Sequence, residues 1–330
     1  MRPISLLSLG LVVISLAAGA CSSHPQGNAV SPPLPSAGAM SASQAQSNPP
    51  RLITMNSRTN RLEAWPIQRG GGSDPEPFTP PLNVGGANVL STIGDVVVMV
   101  ESFPSSRVVL YNTKSGTTRF LDDPFGVPIA IAVATDKTIY ALNVSKSGSP
   151  ITMYQPPAHH AVELNCSVMP TGQAIAVDNE GDIFIQGYSN SQFSIAEIPN
   201  GPGGPAPQNC AILQLETNPG YVGGIAVDPK TDSLITLDDP SLCAGGEEGR
   251  MTVYPKPYDQ STGRSKDIGK NCTGGLWLNA DSTIVFTSDQ DVSGSFSFIL
   301  QRSFPDGGDM GIYHGSNFAG LAPMPSALPN

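Results

Sequence analysis

Short apolar runs that meet at tight polar turns recur along this chain. Residues 174–185 read AIAVDNEGDIFI, and residues 224–237 read GIAVDPKTDSLITL. In both segments an apolar run ends at an aspartate, a turn follows, and a second apolar run begins. Apolar runs of this length between turn-forming residues predict two antiparallel strands joined by a hairpin.

The same hairpin pattern returns at regular intervals. Further copies are GANVLSTIGDVVVMV from Gly86, IAIAVATDKTIYAL from Ile129, GGLWLNADSTIVFT from Gly274 and, without a second run, AGLAPMP from Ala319. The residues that align at the hairpin corners are Ser91, Ala134, Asp178, Asp228, Asn279 and Met324. Successive corners are 43, 44, 50, 51 and 45 residues apart. This period, with all-β content, is typical of a β-propeller.

Further strand-like segments follow each hairpin. Third-strand candidates begin at Arg107, Ile151, Phe193, Arg250 and Phe296, and TTRFLDD and AILQLET are weaker fourth-strand candidates. The last hairpin has one strand only, whereas residues 51–67 supply a second and third strand with no first. Joining the two ends completes a blade and removes free sheet edges. We therefore predict an all-β fold: a six-bladed β-propeller of four-stranded antiparallel blades over residues 51–330, closed by the C-terminal strand pairing with the N-terminal blade.

The two segments AIAVDNEGDIFI and GIAVDPKTDSLITL resemble the NHL repeat and the gluconolactonase-like six-bladed β-propellers. The gluconolactonase-like resemblance implies a divalent cation, such as calcium, held in the central channel by carboxylates and asparagines where first strands begin. A hard dication favours anionic oxygen ligands. The corresponding polar residues here include no carboxylate; they are Asn83, Asn88, Thr171, Thr273, Ser316 and Asn317. We therefore assign no catalytic residue and no cofactor.

Strand alternation divides the predicted loops between two faces. The hairpin corners lie on one face, and the loops from second to third strands share the other face with the connections between blades. The second strands end on this latter face at Asn56, Glu101, Asn143, Tyr188, Asp238 and Asp289. These residues form either a site for a cation or a basic ligand, or the solvated rim of an acidic protein.

The recurrent corner residues have a simpler interpretation. Asp178, Asp228 and Asn279 lie where a strand turns back, and short polar side chains at such positions accept hydrogen bonds from backbone N–H groups. Because such a residue recurs in blade after blade, we expect a structural role for it.

The N-terminus carries an export signal over residues 1–20, in which Arg2 precedes an apolar run. Ala18-Gly19-Ala20-Cys21 resembles a bacterial lipobox, so that Cys21 would receive a lipid; Ala18-Gly19-Ala20 also fits an ordinary signal peptidase site. Residues 21–50 are rich in Ser, Pro, Ala, Gly and Gln, with almost no charge, and predict a disordered tether. The expected location is the cell envelope, as a membrane-anchored lipoprotein or as a secreted or periplasmic protein.

Four cysteines lie beyond the tether, which suggests two disulfides in an exported protein. Cys166 and Cys210 both lie near outer strands one blade apart, and Cys243 and Cys272 belong to one face. The pairing Cys166–Cys210 with Cys243–Cys272 is therefore favoured over the other two pairings.

Charge and motif content narrow the function. The formal net charge of −10 argues against nucleic acid as a partner. We expect a non-enzymatic binding or scaffold module at the cell envelope whose ligand is a protein, peptide or glycan, with membrane contact through the lipid. The alternative is a metal-dependent lactonase or related hydrolase acting in the channel.

Overall fold

The architecture is known from a computed structural model of the chain. It describes residues 50–56, 58–72, 75–82, 84, 87–102, 105–145, 148–190, 192–201, 203–215, 221–239, 249–268, 272–279, 281–290, 297–315 and 318–324. The predicted signal peptide, Cys21, nearly all of the tether and Cys243 lie outside these residues.

The described chain is built almost entirely of short β-strands. In chain order they are β1 (Arg51–Asn56), β2 (Arg61–Pro66), β3 (Gly70–Gly72), β4 (Glu76–Pro77), β5 (Ala87–Ile93), β6 (Val96–Glu101), β7 (Arg107–Asn112), β8 (Thr118–Asp122), β9 (Val127–Val133), β10 (Ile139–Val144), β11 (Ile151–Tyr154), β12 (Ala161–Leu164), β13 (Thr171–Val177), β14 (Ile183–Ser189), β15 (Gln192–Ile198), β16 (Asn200–Gly201), β17 (Gly204–Pro205), β18 (Ala211–Ile212), β19 (Tyr221–Val227), β20 (Leu234–Asp239), β21 (Arg250–Tyr254), β22 (Arg264–Asp267), β23 (Cys272–Leu278), β24 (Ile284–Gln290), β25 (Ser297–Ser303), β26 (Asp309–Gly315) and β27 (Phe318–Met324). Two single-turn 3-10 helices, Pro207–Asn209 and Gln260–Thr262, lie before β18 and β22.

These strands form six antiparallel blades in the described part of the chain. From the innermost strand outwards, blade 1 is β27-β1-β2-β4, blade 2 is β5-β6-β7-β8, blade 3 is β9-β10-β11-β12, blade 4 is β13-β14-β15-β18, blade 5 is β19-β20-β21-β22, and blade 6 is β23-β24-β25-β26. The fold predicted from the repeat is therefore confirmed.

The ring closes where the two ends of the chain meet. The C-terminal strand β27 is the innermost strand of blade 1 and pairs antiparallel with β1, with Arg51 opposite Met324. The innermost strands adjoin one another around the ring in the order β27, β5, β9, β13, β19 and β23, and β23 again adjoins β27. Blade 1 therefore combines strands from both ends of the chain, as the sequence predicted.

A short extra strand adds a second connection at this junction. The glycine strand β3 leaves blade 1 and pairs in parallel with β26 at the outer edge of blade 6. The Tyr313 hydroxyl accepts a hydrogen bond from the Gln68 backbone N–H at 3.3 Å and donates to the Gln301 side chain at 3.0 Å. The sequence analysis did not predict this strand.

The apolar core lies between blades. Successive side chains of a strand point to opposite faces of its sheet, so each blade packs against both neighbours. In β6, Val98 and Val100 pack against Ile139 and Ala141 of blade 3, while Val97 packs toward blade 1. This alternation decides where the predicted site residues point.

Candidate functional site

The corner face carries the turns from first to second and from third to fourth strands; the loop face carries the remaining connections. Strand directions follow from the antiparallel pairing, so the chain enters at Arg51 on the corner face and the second strands run toward the loop face. All six candidate residues lie at this end of a second strand: Asn56, Glu101, Asn143, Tyr188, Asp238 and Asp289.

Each first strand carries a bulge. Counted from this bulge, the six candidates do not all occupy the same position. The residue without a partner is Asn88, Ile129, Gln173, Gly223, Gly275 or Ala319. Asn56, Glu101, Asn143 and Asp238 come directly after this irregularity. In blades 4 and 6 that place belongs to Gly187 and Ser288, so Tyr188 and Asp289 lie one residue farther along. The second strands of blades 4 and 6 are one residue longer than the others, which the alignment of the repeats did not reveal.

Asn56 stabilises the turn that follows it. Its side-chain oxygen accepts hydrogen bonds from the backbone N–H groups of Arg58, at 3.0 Å, and Thr59, at 3.1 Å. Its amide nitrogen donates to Glu63 at 2.8 Å. Both ends of the side chain are thus engaged within blade 1, which is the ordinary role of asparagine at a strand end.

Glu101 is occupied by a neighbouring arginine. The carboxylate is almost completely buried and forms an ion pair with Arg107, the residue opposite it on β7. The Arg107 guanidinium also lies 3.8 Å from the centre of the Phe120 ring. A buried carboxylate is retained when it is paired in this way.

Asn143 belongs to a buried polar cluster between blades 2 and 3. Its amide nitrogen donates to the Thr152 hydroxyl at 2.8 Å, and this hydroxyl donates to Asp123 at 2.6 Å. Burial raises the pKa of Asp123, and hydrogen bonds from Thr152 and the Phe125 backbone only partly offset this effect. The sequence analysis missed Asp123, because its contact with Asn143 depends on packing between two blades.

The remaining candidates lie in blades 4 to 6. Tyr188 is half-buried and packs against the core shared by blades 4 and 5. Asp238 pairs with Val222, and Asp289 pairs with Thr273; only the backbone is described at these two positions. The six candidates thus share an end of the blades, and each described side chain contacts its own blade or an adjacent one.

An exposed apolar pair lies beside Asn143 on the loop face. Val127 begins β9 and Val144 ends β10, and the two residues are cross-strand partners. They are 38% and 43% exposed. Val144 directly follows Asn143 of the Asp123 cluster, and the hydrophobic pattern alone did not distinguish the exposed pair from core.

The corner face, in contrast, is bonded internally. Asp178 accepts hydrogen bonds from the backbone N–H groups of Glu180, at 3.0 Å, and Asp182, at 2.8 Å. Asn279 accepts from the N–H groups of Thr283 and Ile284 at 2.9 and 2.8 Å. The predicted structural role of these corner residues is confirmed.

The corner of blade 4 is also linked to blade 5. The Lys256 ammonium lies 3.1 Å from Asp178 and 2.9 Å from Glu180, and the Tyr258 hydroxyl donates to Asp178 at 3.2 Å. Partial burial opposes the charged form of Lys256, but hydrogen bonds to Glu180 and Asp178 outweigh it and raise the lysine pKa. Asn179 likewise donates to Asp232 of blade 5 at 2.7 Å.

Two corner predictions need comment. Ser91 lies inside β5, and the turn of blade 2 falls at Gly94 and Asp95. Because apolar residues continue on both sides of this turn, the sequence pattern did not show where the first strand of blade 2 ends. Met324 is the last residue of β27, and the second strand of its blade is β1.

A disulfide joins blades 3 and 4. Cys166 and Cys210 are bonded, and their Cα atoms are 5.5 Å apart. Cys166 packs into the core between the two blades. This predicted pair is therefore present. Cys272 begins β23, but Cys243 lies outside the described residues, so the pair Cys243–Cys272 stays a prediction.

Metal-binding clusters and membrane-spanning helices are both absent from the described residues. No three His, Cys, Asp or Glu side chains in this part of the chain are grouped so as to hold a metal ion. The helices within the same residues are all too short to cross a membrane. Of the predicted channel residues, Thr171 begins β13, and the side chains of Asn83, Asn88, Thr273, Ser316 and Asn317 are not among those described.

Comparison with known proteins identifies the fold class. No protein-family model and no curated protein matches the chain. A chain in the crystal structure of the nidogen/laminin complex is 15% identical, with a TM-score of 0.64, over 83% of this chain and 98% of that one. A protein of unknown function from Bacteroides caccae is 9% identical, with a TM-score of 0.58, over 84% and 100%. At such low identity the likeness concerns the fold, and the chain is a six-bladed β-propeller.

Proposed function

We propose that this chain is a non-enzymatic binding module of the cell envelope that takes a protein, peptide or glycan on its loop face. The observation that carries the proposal is the exposed apolar pair on the loop face. Corner side chains such as Asp178 and Asn279 are committed to bonds inside the propeller. The loop face exposes Val127 and Val144. Exposed apolar residues grouped on one face are typical of interaction sites.

The fold supports a protein ligand. A propeller of this kind occurs in the nidogen/laminin complex, which is an assembly of proteins. The NHL-like resemblance of the hairpins AIAVDNEGDIFI and GIAVDPKTDSLITL is compatible with such a role. Because one propeller fold serves many functions, the choice of a binding role depends on the surface and not on the fold alone.

The position of the chain entry supports display. We further propose that residues 1–20 direct export, that Cys21 carries the lipid, and that residues 21–50 form the tether. The chain enters the propeller at Arg51, at the corner end of β1. This entry point and the loop face lie at opposite ends of β1.

The test is site-specific photo-crosslinking of the full chain in its native cells. A photoreactive residue replaces Val144 on the loop face and, as the matched control, Thr135 in the exposed corner turn of the same blade. We expect a discrete crosslinked species from position 144, and its yield should fall when unlabelled full chain is added. Position 135 should give no such species. Equal crosslinking at both positions, or crosslinking at the corner alone, would contradict the proposal.

A further inference from the structure

Two oxygen acceptors of the Asp123 cluster have no hydrogen-bond partner. Asp123 follows β8 at the loop face and is only 8% exposed. One carboxyl oxygen, Oδ1, receives the Thr152 hydroxyl at 2.6 Å and the Phe125 N–H at 3.2 Å. The other oxygen, Oδ2, has no hydrogen-bond partner, and neither has the side-chain oxygen Oδ1 of Asn143.

Both of these oxygens are shut off from solvent. Each exposes less than 1 Å² of surface. An acceptor that is buried without a donor is costly, so something is expected to satisfy it. A proton on the carboxyl group turns one of its acceptor oxygens into a donor and needs no additional space around it.

The ionisable groups around Asp123 are consistent with a protonated carboxyl group. Within the described residues, Tyr154 of β11 lies beside Asp123; its hydroxyl donates to the Asp122 carbonyl at 3.1 Å and supplies no positive charge. Arg107 is bound to Glu101 on the side of the blade 2 sheet that faces blade 1. Burial also raises the pKa of Asp123.

We propose that Asp123 is a proton-binding site: it is held as the neutral acid in the folded protein at pH values where exposed aspartates are ionised, and loss of this proton weakens the seam between blades 2 and 3. Asn143 directly precedes Val144, and Asp123 begins the connection that leads to Val127. The proton-dependent seam is therefore adjacent along the chain to the exposed pair of the loop face.

The direction of the pH effect follows from proton linkage. An unfolded aspartate titrates near pH ~3.9, and the folded chain holds the Asp123 proton to higher pH. Between these two values the folded state binds more protons than the unfolded state, so stability due to this group falls as pH rises. Above the folded pKa the loss is complete and stays constant.

The experiment measures the melting temperature of the full chain from pH 4 to 8. Asp123→Asn imitates the neutral acid in shape and removes its titration, and Asp122→Asn on the adjacent exposed residue is the matched control. We expect the melting temperature of Asp123→Asn, relative to the wild type, to rise with pH by about 2–4 °C per pH unit before it levels off. Asp122→Asn should not show this rise.

Two results would overturn the proposal. One is an Asp123→Asn curve parallel to that of the wild type at every pH; the other is a relative loss for Asp123→Asn as pH rises, which would show that the folded state needs the carboxylate. Should Asp123→Asn fail to fold, the ¹³C titration of aspartate carboxyls in the wild type, assigned through Asp122→Asn and residue-specific labelling, decides. A midpoint for Asp123 at or below that of Asp122 refutes the neutral acid, and a higher midpoint supports it.

Discussion

At the scale of single residues, the corner side chains of the propeller hold backbone turns and connect blades. Asp178 does both, because it accepts two backbone N–H groups of its own turn and contacts Lys256 from blade 5. Its side chain is completely buried. A buried carboxylate that loses a cationic partner becomes strongly unfavourable, whereas an exposed ion pair contributes little.

Replacement of Lys256 tests this difference. We expect Lys256→Met, which keeps the aliphatic length, to lower the free energy of unfolding by about 2–3 kcal/mol, because Asp178 stays buried without its cation. Lys230→Met is the matched control, since Lys230 is exposed and its ammonium donates to a backbone carbonyl, that of Asp281, at 2.6 Å. The control should change stability by less than about 0.5 kcal/mol. Urea unfolding at pH 7 measures both, and equal losses would contradict this account of the corner.

Residue roles were predictable where the cause was local. Asp228 and Asn279 follow a strand and precede a turn, and the structure uses them as the sequence indicates. The loop-face candidates were also selected as polar residues at strand ends, but their hydrogen-bond partners include residues of other strands. The contact of Asn143 with Asp123 runs through Thr152 of another strand. No spacing in the sequence encodes that contact.

At the scale of elements, the first strands share a bulge that the sequence pattern concealed. Apolar alternation identifies a strand, but one unpartnered residue leaves the pattern nearly intact. In blade 5 the bulge brings the Gly224 N–H to the buried Gln186 side chain at 3.1 Å. The register after the bulge decides which residue lies at the loop-face end. The candidates Tyr188 and Asp289 were therefore predicted one residue too far along their strands.

The glycine strand β3 depends on close backbone approach. A Cβ atom at Gly71 would lie 1.9 Å from the Ile312 carbonyl oxygen, and the residue has a φ of +76°. An Arg-Gly-Gly-Gly run reads as a flexible loop, and its parallel partner in β26 is more than two hundred residues away in sequence. Sequence analysis therefore had no signal for this strand.

Gly71→Ala should separate β3 from blade 6. We expect the free energy of unfolding to fall by about 2 kcal/mol, because both the contact and the backbone conformation oppose a side chain. Gly203→Ala is the control, since a Cβ atom there meets nothing within 4 Å. It should stay within about 0.5 kcal/mol of the wild type. Thermal unfolding of the two variants side by side is the measurement, and indistinguishable melting would show that β3 does not stabilise the ring junction.

At the scale of the whole molecule, closure of the ring defines the two faces and therefore the proposed function. The sequence predicted closure by counting strands, because the last repeat lacked a second strand and the first lacked an innermost one. That count depends only on the periodicity of the strands, which is clear in the sequence. The surface chemistry of the loop face depends on connections that vary from blade to blade, and residues 240–248 and 291–296 there lie outside the described part.

Ring closure is tested most directly by a cysteine crosslink between the two ends of the chain. Arg51 and Met324 are cross-strand partners in blade 1. We predict that the full chain carrying Arg51→Cys and Met324→Cys forms an intramolecular disulfide, seen as a linked peptide pair by mass spectrometry. A control chain carrying Arg51→Cys and Val177→Cys, at the end of β13 in blade 4, should give no such link. Absence of the first link, or equal yields of both, would contradict the closed six-bladed ring.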